Sequence, residues 1–146
     1  EVYYQTGLTI DALNQKNRRA APKYQAVKLG VCPSTREALY ERINMRVDVM
    51  LREGLLSEIE HLLKNGKLSG TAVQAIGYKE YIPYFQGMSS LENCTEQLKQ
   101  HSRNYAKRQL TWLRRDPTVQ WITYDSNSQF DEVVRRSTEI LSSMGL

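Results

Sequence analysis

Cysteine and histidine are scarce in this chain of 146 residues: Cys32 and Cys94 form no C-x-x-C pair, and the two histidines do not cluster with them. That spacing encodes no Cys/His metal site, and a reduced, cytoplasmic setting is expected. No run of 18 apolar residues occurs, and the opening residues do not form a basic-then-apolar leader. A membrane span and a secretory signal are therefore not indicated, and a soluble chain is expected. The phosphate-loop pattern G-x-x-x-x-G-K-[ST] is missing from every position, so any phosphate chemistry has to use other groups. Repeats and low-complexity tracts are absent as well.

What is present is basic charge with an uneven distribution. Lys and Arg number 20 against 16 Asp and Glu, with a pI near 9.1, a balance that permits a nucleic-acid partner without requiring one. Between Gln97 and Arg115 lie six basic residues (Lys99, Arg103, Lys107, Arg108, Arg114 and Arg115) and no acidic one. A chain of this length hides roughly 70% of its unfolded surface, enough for one real core.

The order of elements is legible. "EVYYQTG" reads as the last turns of a helix ending at Gly7, which suggests a fragment of a longer chain. Thr9 caps a short helix, and "NQKNRRAAPK" reads as a polar, basic linker to Pro22. "YQAVKLGVCP" is a buried strand candidate. Ser34 and Glu37 form an S-x-x-E capping box for a helix that Gly54 ends, with Leu39, Ile43, Val47 and Met50 on one face. A second helix runs from about Ser57 to Gly66, and "GKLSG" is a loop. "TAVQAIGYKEYIPYFQG" has a helical pattern, with Gly77 inside it as a sign of close approach by a backbone or ligand. Ser90 caps a long helix reaching Asp116-Pro117, "TVQWITYD" is a second strand, and "FDEVVRRSTEILSSMGL" is a final amphipathic helix. Helices dominate around two separated strands, an α/β pattern with part of a sheet.

On the long helix, Leu91, Cys94, Leu98, Tyr105, Ala106, Trp112 and Leu113 share one arc, the expected core face. Arg103, Lys107 and Arg114 fall within about 40° of each other on another side, with Lys99 nearby. This stripe is either a solvated face or a track for a phosphate backbone. Gln109 sits inside the apolar arc, where an unpartnered amide costs roughly 1–3 kcal/mol; it either bonds another element or faces a cleft. Trp112 is expected in the core, with a base-stacking platform as the alternative. On the capping-box helix, Arg36 lies inside the apolar arc, Arg46 at its edge and Arg42 further out. Arginine cannot shed its charge there, so an anion is expected, either an internal carboxylate or a phosphate.

The run "LGVCPSTREALYERINMRVDVMLREGLLSEIEHLL", then "QAIGYKEYIPYFQG", then "RNYAKRQLTWLRR" resembles, in that order, the C-terminal portion of bacterial tRNA dimethylallyltransferase, also called tRNA isopentenyltransferase. "EVYYQTG" is similar to the end of a helix in that family. The resemblance implies a mostly helical C-terminal part of a P-loop-kinase-like parallel-sheet enzyme, carrying one or two strands of the core sheet. Residues 1–25 would be the end of a helical insertion and a basic linker, and 26–146 the rest of the catalytic core with its tRNA-contacting helices. The implied activity moves a dimethylallyl group from its diphosphate to N6 of the adenosine 3′ of the anticodon. Magnesium, the phosphate loop and the catalytic aspartate are implied in the family's N-terminal half, so no catalytic or metal residue is assigned here.

The resemblance places tRNA contacts at Gln74, Ala75, Ile76, Gly77, Tyr78 and Lys79, and at Lys107, Arg108, Gln109, Leu110, Thr111, Trp112, Leu113 and Arg114, with Arg103 added from the stripe. Arg36, Arg42 and Arg46 are the candidates for diphosphate. Lys79 stands where many members place arginine, which weakens that phosphate contact. The implied partners are the tRNA anticodon stem-loop and dimethylallyl diphosphate, with no membrane and a monomeric state. Two other readings are a helical nucleic-acid-binding module without chemistry, its arginines paired with Glu37, Glu41 or Glu53, and an enzyme prenylating free adenine nucleotides.

Overall fold

The computed structural model describes residues 1–19, 24, 26–66, 70–125 and 130–145. Two short helices open the chain, α1 (Val2–Thr6) and α2 (Ile10–Arg19). Strand β1 (Lys28–Pro33) leads into α3 (Arg36–Arg52) and α4 (Leu55–Lys64). A 3-10 turn (Gly70–Gln74), a four-residue helix α5 (Ile82–Phe85) and the long α6 (Leu91–Leu113) follow, then β2 (Val119–Tyr124) and α7 (Phe130–Ser143). β1 and β2 pair in parallel, from Lys28 opposite Val119 to Pro33 opposite Tyr124. A parallel pair needs a long crossover, and everything from α3 to α6 supplies it.

Local chemistry explains most boundaries. Thr35, with extended backbone angles, caps α3 by accepting from the Ala38 N–H at 3.1 Å. The expected cap, Ser34, is still on the strand side, because its N–H donates to the Tyr124 carbonyl at 2.9 Å and prolongs the ladder. Ser90 caps α6 as expected, accepting from the Asn93 N–H at 3.2 Å. Its 23 residues give a rod about 34 Å long. At the start, helix α2 continues through Arg19, so the polar linker expected from Asn14 is helical there; its residues 20–23, like Gln25 of the strand run and 67–69 of the "GKLSG" loop, lie outside the described residues.

The helical pattern between Thr71 and Gly87 does not form one helix. Gly77 adopts φ +106°, which a right-handed helix cannot contain, and the segment breaks into turns on either side. A Cβ built on Gly77 meets nothing within 4 Å. The glycine is needed for its backbone angle, and no other backbone among the described residues makes the close approach expected of it.

The core lies among the helices. Val47 of α3, Leu55 and Ile59 of α4, Tyr81, and Cys94 and Leu98 of α6 are buried together, with Met50, Leu51, Leu56, Leu63, Tyr78 and Phe85 packed around them. The sheet adds buried Cys32 and Ile122. Of the α6 arc only Cys94 and Leu98 are buried in the core: Leu91, Tyr105 and Leu113 reach the surface, and Trp112 is 72% exposed. The wheel identifies a side of the helix correctly but says nothing of what stands opposite it, and α6 runs past the helical core at Trp112. No helix among the described residues is long and apolar enough to cross a membrane.

Candidate nucleic-acid and anion interface

β1 ends at Pro33 and the chain turns through Ser34 and Thr35 into the N-terminus of α3. In parallel sheets, ligands bind in the crevice beyond the carboxyl ends of the strands, and the free N–H groups of a helix start favour an anion there. A cleft of about 250 Å³ opens at that place, lined by Cys32 to Arg36, Leu39 and Tyr40 on one side and by Lys107, Leu110, Thr111 and Arg114 of α6 on the other. Arg36, Lys107 and Arg114 converge on it, and no acidic side chain among the described residues lines it. Two segments seventy residues apart in sequence thus make one positive site.

The three arginines of α3 occupy different places. All are exposed, contrary to the expected burial, and Arg36 and Arg46 form no ion pair among the described residues. The helical rise separates Arg36 from Arg46 by about 15 Å along the axis, too far for one diphosphate. Arg42 stands over the Tyr124 ring, 5.2 Å from its centroid. Arg46 lines a second cleft of about 610 Å³ with Ile43, Ile76, Gly77, Tyr105 and Gln109. That cleft resolves the position of Gln109: its amide has no partner among the described residues and faces open space, both here and in a neighbouring cleft lined by β1, Leu113 and Trp121.

The basic stripe also divides. Lys99 pairs with Asp48 at 2.8 Å and Glu96 at 3.6 Å, and its side chain is 15% exposed. The hydrogen bond to Asp48 raises its pKa above the ordinary lysine value. Arg103 donates to Asn44 and Gln100. Both residues brace α3 against α6, which leaves Lys107 and Arg114 as the members of the stripe without a side-chain partner among the described residues. Around the helix, Asn104, Lys107, Arg108, Thr111, Trp112 and Arg115 line a shallow surface of about 410 Å³. Arg108 lies 5.8 Å from the Tyr105 ring centroid. An exposed indole among cations is the composition of a base-stacking, phosphate-binding surface.

The glycine run packs as a tight turn. The Ala75 carbonyl accepts from the Tyr78 and Lys79 N–H groups at 3.1 and 3.2 Å. Tyr78 donates its hydroxyl to Glu58, and that hydrogen bond raises the phenol pKa above its ordinary value. Ile76 remains 39% exposed, while Gln74 closes the 3-10 turn. The Gly77 N–H donates to Glu80, whose carboxylate also meets His101 of α6. Neither Glu80 nor His101 stands out in the sequence: no motif or pairing marks either, and only burial distinguishes Glu80. The described residues hold no group of three or more His, Cys, Asp or Glu side chains able to bind a metal.

The IPP transferase family model matches residues 1–116. A tRNA dimethylallyltransferase of Desulforamulus reducens is 42% identical over 144 residues, covering 99% of this chain and 50% of that protein. One of Halothermothrix orenii is 41% identical over 145 residues, covering 97% and 44%. Among solved structures, the full-length tRNA isopentenylpyrophosphate transferase of Bacillus halodurans superposes with a TM-score of 0.74 at 39% identity, covering 92% of this chain and 43% of that one. The tRNA delta(2)-isopentenylpyrophosphate transferase of Staphylococcus epidermidis gives 0.70 at 38% identity, covering 94% and 46%. The chain spans about half the length of the curated relatives it matches.

Proposed function

The chain belongs to the IPP transferase family, and from that premise we propose that it forms the RNA-holding and diphosphate-facing part of a tRNA dimethylallyltransferase. The observation that carries this reading is the cleft in which Arg36, Lys107 and Arg114 meet at the N-terminus of α3, with no acid lining it among the described residues. In the transfer, N6 of adenosine forms a bond to the allylic carbon, the carbon–oxygen bond to diphosphate breaks, and N6 loses a proton. Charge accumulates on the leaving diphosphate. Cations fixed at that position stabilise the transition state more than the ground state, and Arg36 is assigned this work. Arg46, about 15 Å further along α3, is not.

The target base has to leave the stack of its loop, which costs a few kcal/mol, and the flanking strand has to be held while it does. Lys107 and Arg114 contact phosphates, Trp112 offers a face for an unstacked base, and the turn at Gln74 to Lys79 borders the cleft of Arg46 and Gln109 from the other side. This extended surface favours a polymer over a free adenine nucleotide, which has no flanking backbone to hold. None of the described residues is assigned to proton removal or to magnesium. The family's magnesium would belong with the diphosphate, on ligands other than these. A cytoplasmic, monomeric enzyme acting on the anticodon stem-loop, with residues 1–25 as the end of an insertion, belongs to the same proposal.

The test uses the full-length protein that carries this chain, with tRNA and dimethylallyl diphosphate. Arg36→Ala is expected to lower kcat about 100-fold, as loss of a transition-state charge contact does, with little change in the KM for tRNA. An unaltered kcat overturns the assignment of Arg36, and a wild-type protein that prenylates no RNA overturns the reading itself.

A further inference from the structure

Glu80 is the one buried charged residue among the described residues, 3% exposed and next in sequence to the fully buried Tyr81. Its two oxygens serve different partners. Oε2 accepts from the Gly77 N–H at 2.9 Å, and Oε1 lies 2.7 Å from Nδ1 of His101 on α6. Lys79 Nζ stands 3.9 Å from the same Oε1. A carboxylate taken out of water is costly unless each oxygen is partnered, and an apolar side chain would fill this position at no such cost. What an apolar side chain cannot do is hold the N–H of a glycine at φ +106° while gripping a neighbouring helix. No backbone carbonyl among the described residues accepts that N–H. Glu80 therefore fixes the turn.

Both ends of this link lead to RNA-facing elements. Gly77 lines the Gln109 cleft, and His101 stands six residues before Lys107 on the helix whose far half lines the cation cleft. We propose that Glu80 is a positioning residue: its buried carboxylate sets the Gly77 turn and ties it through His101 to α6, so that the two RNA-facing elements keep one fixed spacing. The proposal rests on the RNA-substrate reading above. Glu80 touches neither RNA nor prenyl donor and acts through Gly77 and His101.

The experiment compares Glu80→Ala, Glu80→Gln and His101→Ala in the full-length protein. Alanine removes the acceptor for Gly77, whereas glutamine keeps a carbonyl oxygen for that N–H and an amide able to donate to a neutral imidazole nitrogen. Glu80→Ala is expected to raise the KM for tRNA about tenfold, with kcat and the KM for dimethylallyl diphosphate changed less than about twofold, and Glu80→Gln is expected to restore most of the loss. His101→Ala, a change at a half-exposed side chain, is expected to raise the same KM about threefold, and it decides the matter if Glu80→Ala does not fold. An unchanged KM for tRNA in His101→Ala overturns the tie to α6. Equal losses in kcat and in both KM values, or no rescue by glutamine, overturn the positioning role. Amide exchange at Gly77, read without substrate, is expected to accelerate in Glu80→Ala. Because it needs no RNA, it distinguishes failure of the link from failure of the functional reading.

Discussion

The Arg103 guanidinium on α6 donates to the Asn44 side-chain oxygen on α3 at 2.6 Å and to Gln100 on its own helix at 2.8 Å. One helical turn earlier, Lys99 reaches Asp48 of α3 at 2.8 Å. These contacts lace the two helices together and engage both cations within the chain. Hydrogen bonds to charged groups contribute about 1.5–3 kcal/mol, less at a partly exposed site. Arg103→Ala is therefore expected to lower the unfolding free energy by about 1–2 kcal/mol, measured by urea denaturation. Arg103→Lys should restore little, because a single ammonium lacks the planar fork that serves Asn44 and Gln100 together.

Lys107 and Arg114 should behave in the opposite way. Each faces the cleft and neither has an ion-pair partner among the described residues. Removing one phosphate contact reduces the slope of log K against log salt by about 0.7–0.9. Lys107→Ala and Arg114→Ala in the full-length protein should each flatten the salt dependence of tRNA binding by that amount while leaving the melting temperature unchanged. Arg103→Ala should leave the slope intact. A steeper effect from Arg103 than from Lys107 would reverse the division of the stripe.

The strand pair depends on a glycine for space. Gly30 lies opposite Trp121 in the parallel register, and a Cβ placed on it would stand 2.7 Å from Cε3 and 2.9 Å from Cζ3 of the indole. The indole covers the bare backbone of β1 at Gly30 and lines the same cleft as Leu113. Overpacking of this kind costs about 1–3 kcal/mol. Gly30→Ala should lower stability by that amount, and Gly30→Ala combined with Trp121→Leu should recover part of it. A neutral Gly30→Ala would mean that the ring moves freely.

Both strands and every long helix are legible in the sequence because their signals are local. Ser90 precedes a helical period and caps it, and the β-branched run before Tyr124 has nowhere else to go. Thr35 takes the cap from Ser34 because the Ser34 N–H is already committed to Tyr124, a residue ninety positions away that no local pattern includes. Gly77 is visible as an anomaly, yet its reason, a positive φ, separates from crowding only in three dimensions. The wheel brings Lys107 and Arg114 together but cannot add Arg36, which arrives from another element. It likewise places Trp112 on the core side without revealing that the core has ended. Glu80 is the extreme case, since burial alone marks it and burial is a property of the fold.

Asp116 carries the pH dependence that is easiest to isolate. Its Oδ2 accepts from Lys28 Nζ at 2.6 Å, and its Oδ1 accepts from the Thr118 N–H at 2.9 Å and the Thr118 hydroxyl at 2.6 Å. The Lys28 hydrogen bond, followed by the two from Thr118, lowers the carboxyl from its ordinary 3.8 to about 2. The link joins the start of β1 to the turn that follows α6 and precedes β2. With a folded-state pKa below the unfolded one, the folded chain binds fewer protons between these values, so stability falls as pH falls. The contribution is complete above the ordinary value and is lost as pH drops through about 2. Asp116→Asn should therefore melt below the wild type at neutral pH, and the gap should narrow from about pH 4 downward and close near pH 2. Because Lys28 and Asp116 are partly exposed, salt at about 1 M should also narrow the gap at neutral pH. A gap that stays constant from neutral pH to pH 2 would assign the loss to Thr118 geometry and remove the Lys28 pair from the account.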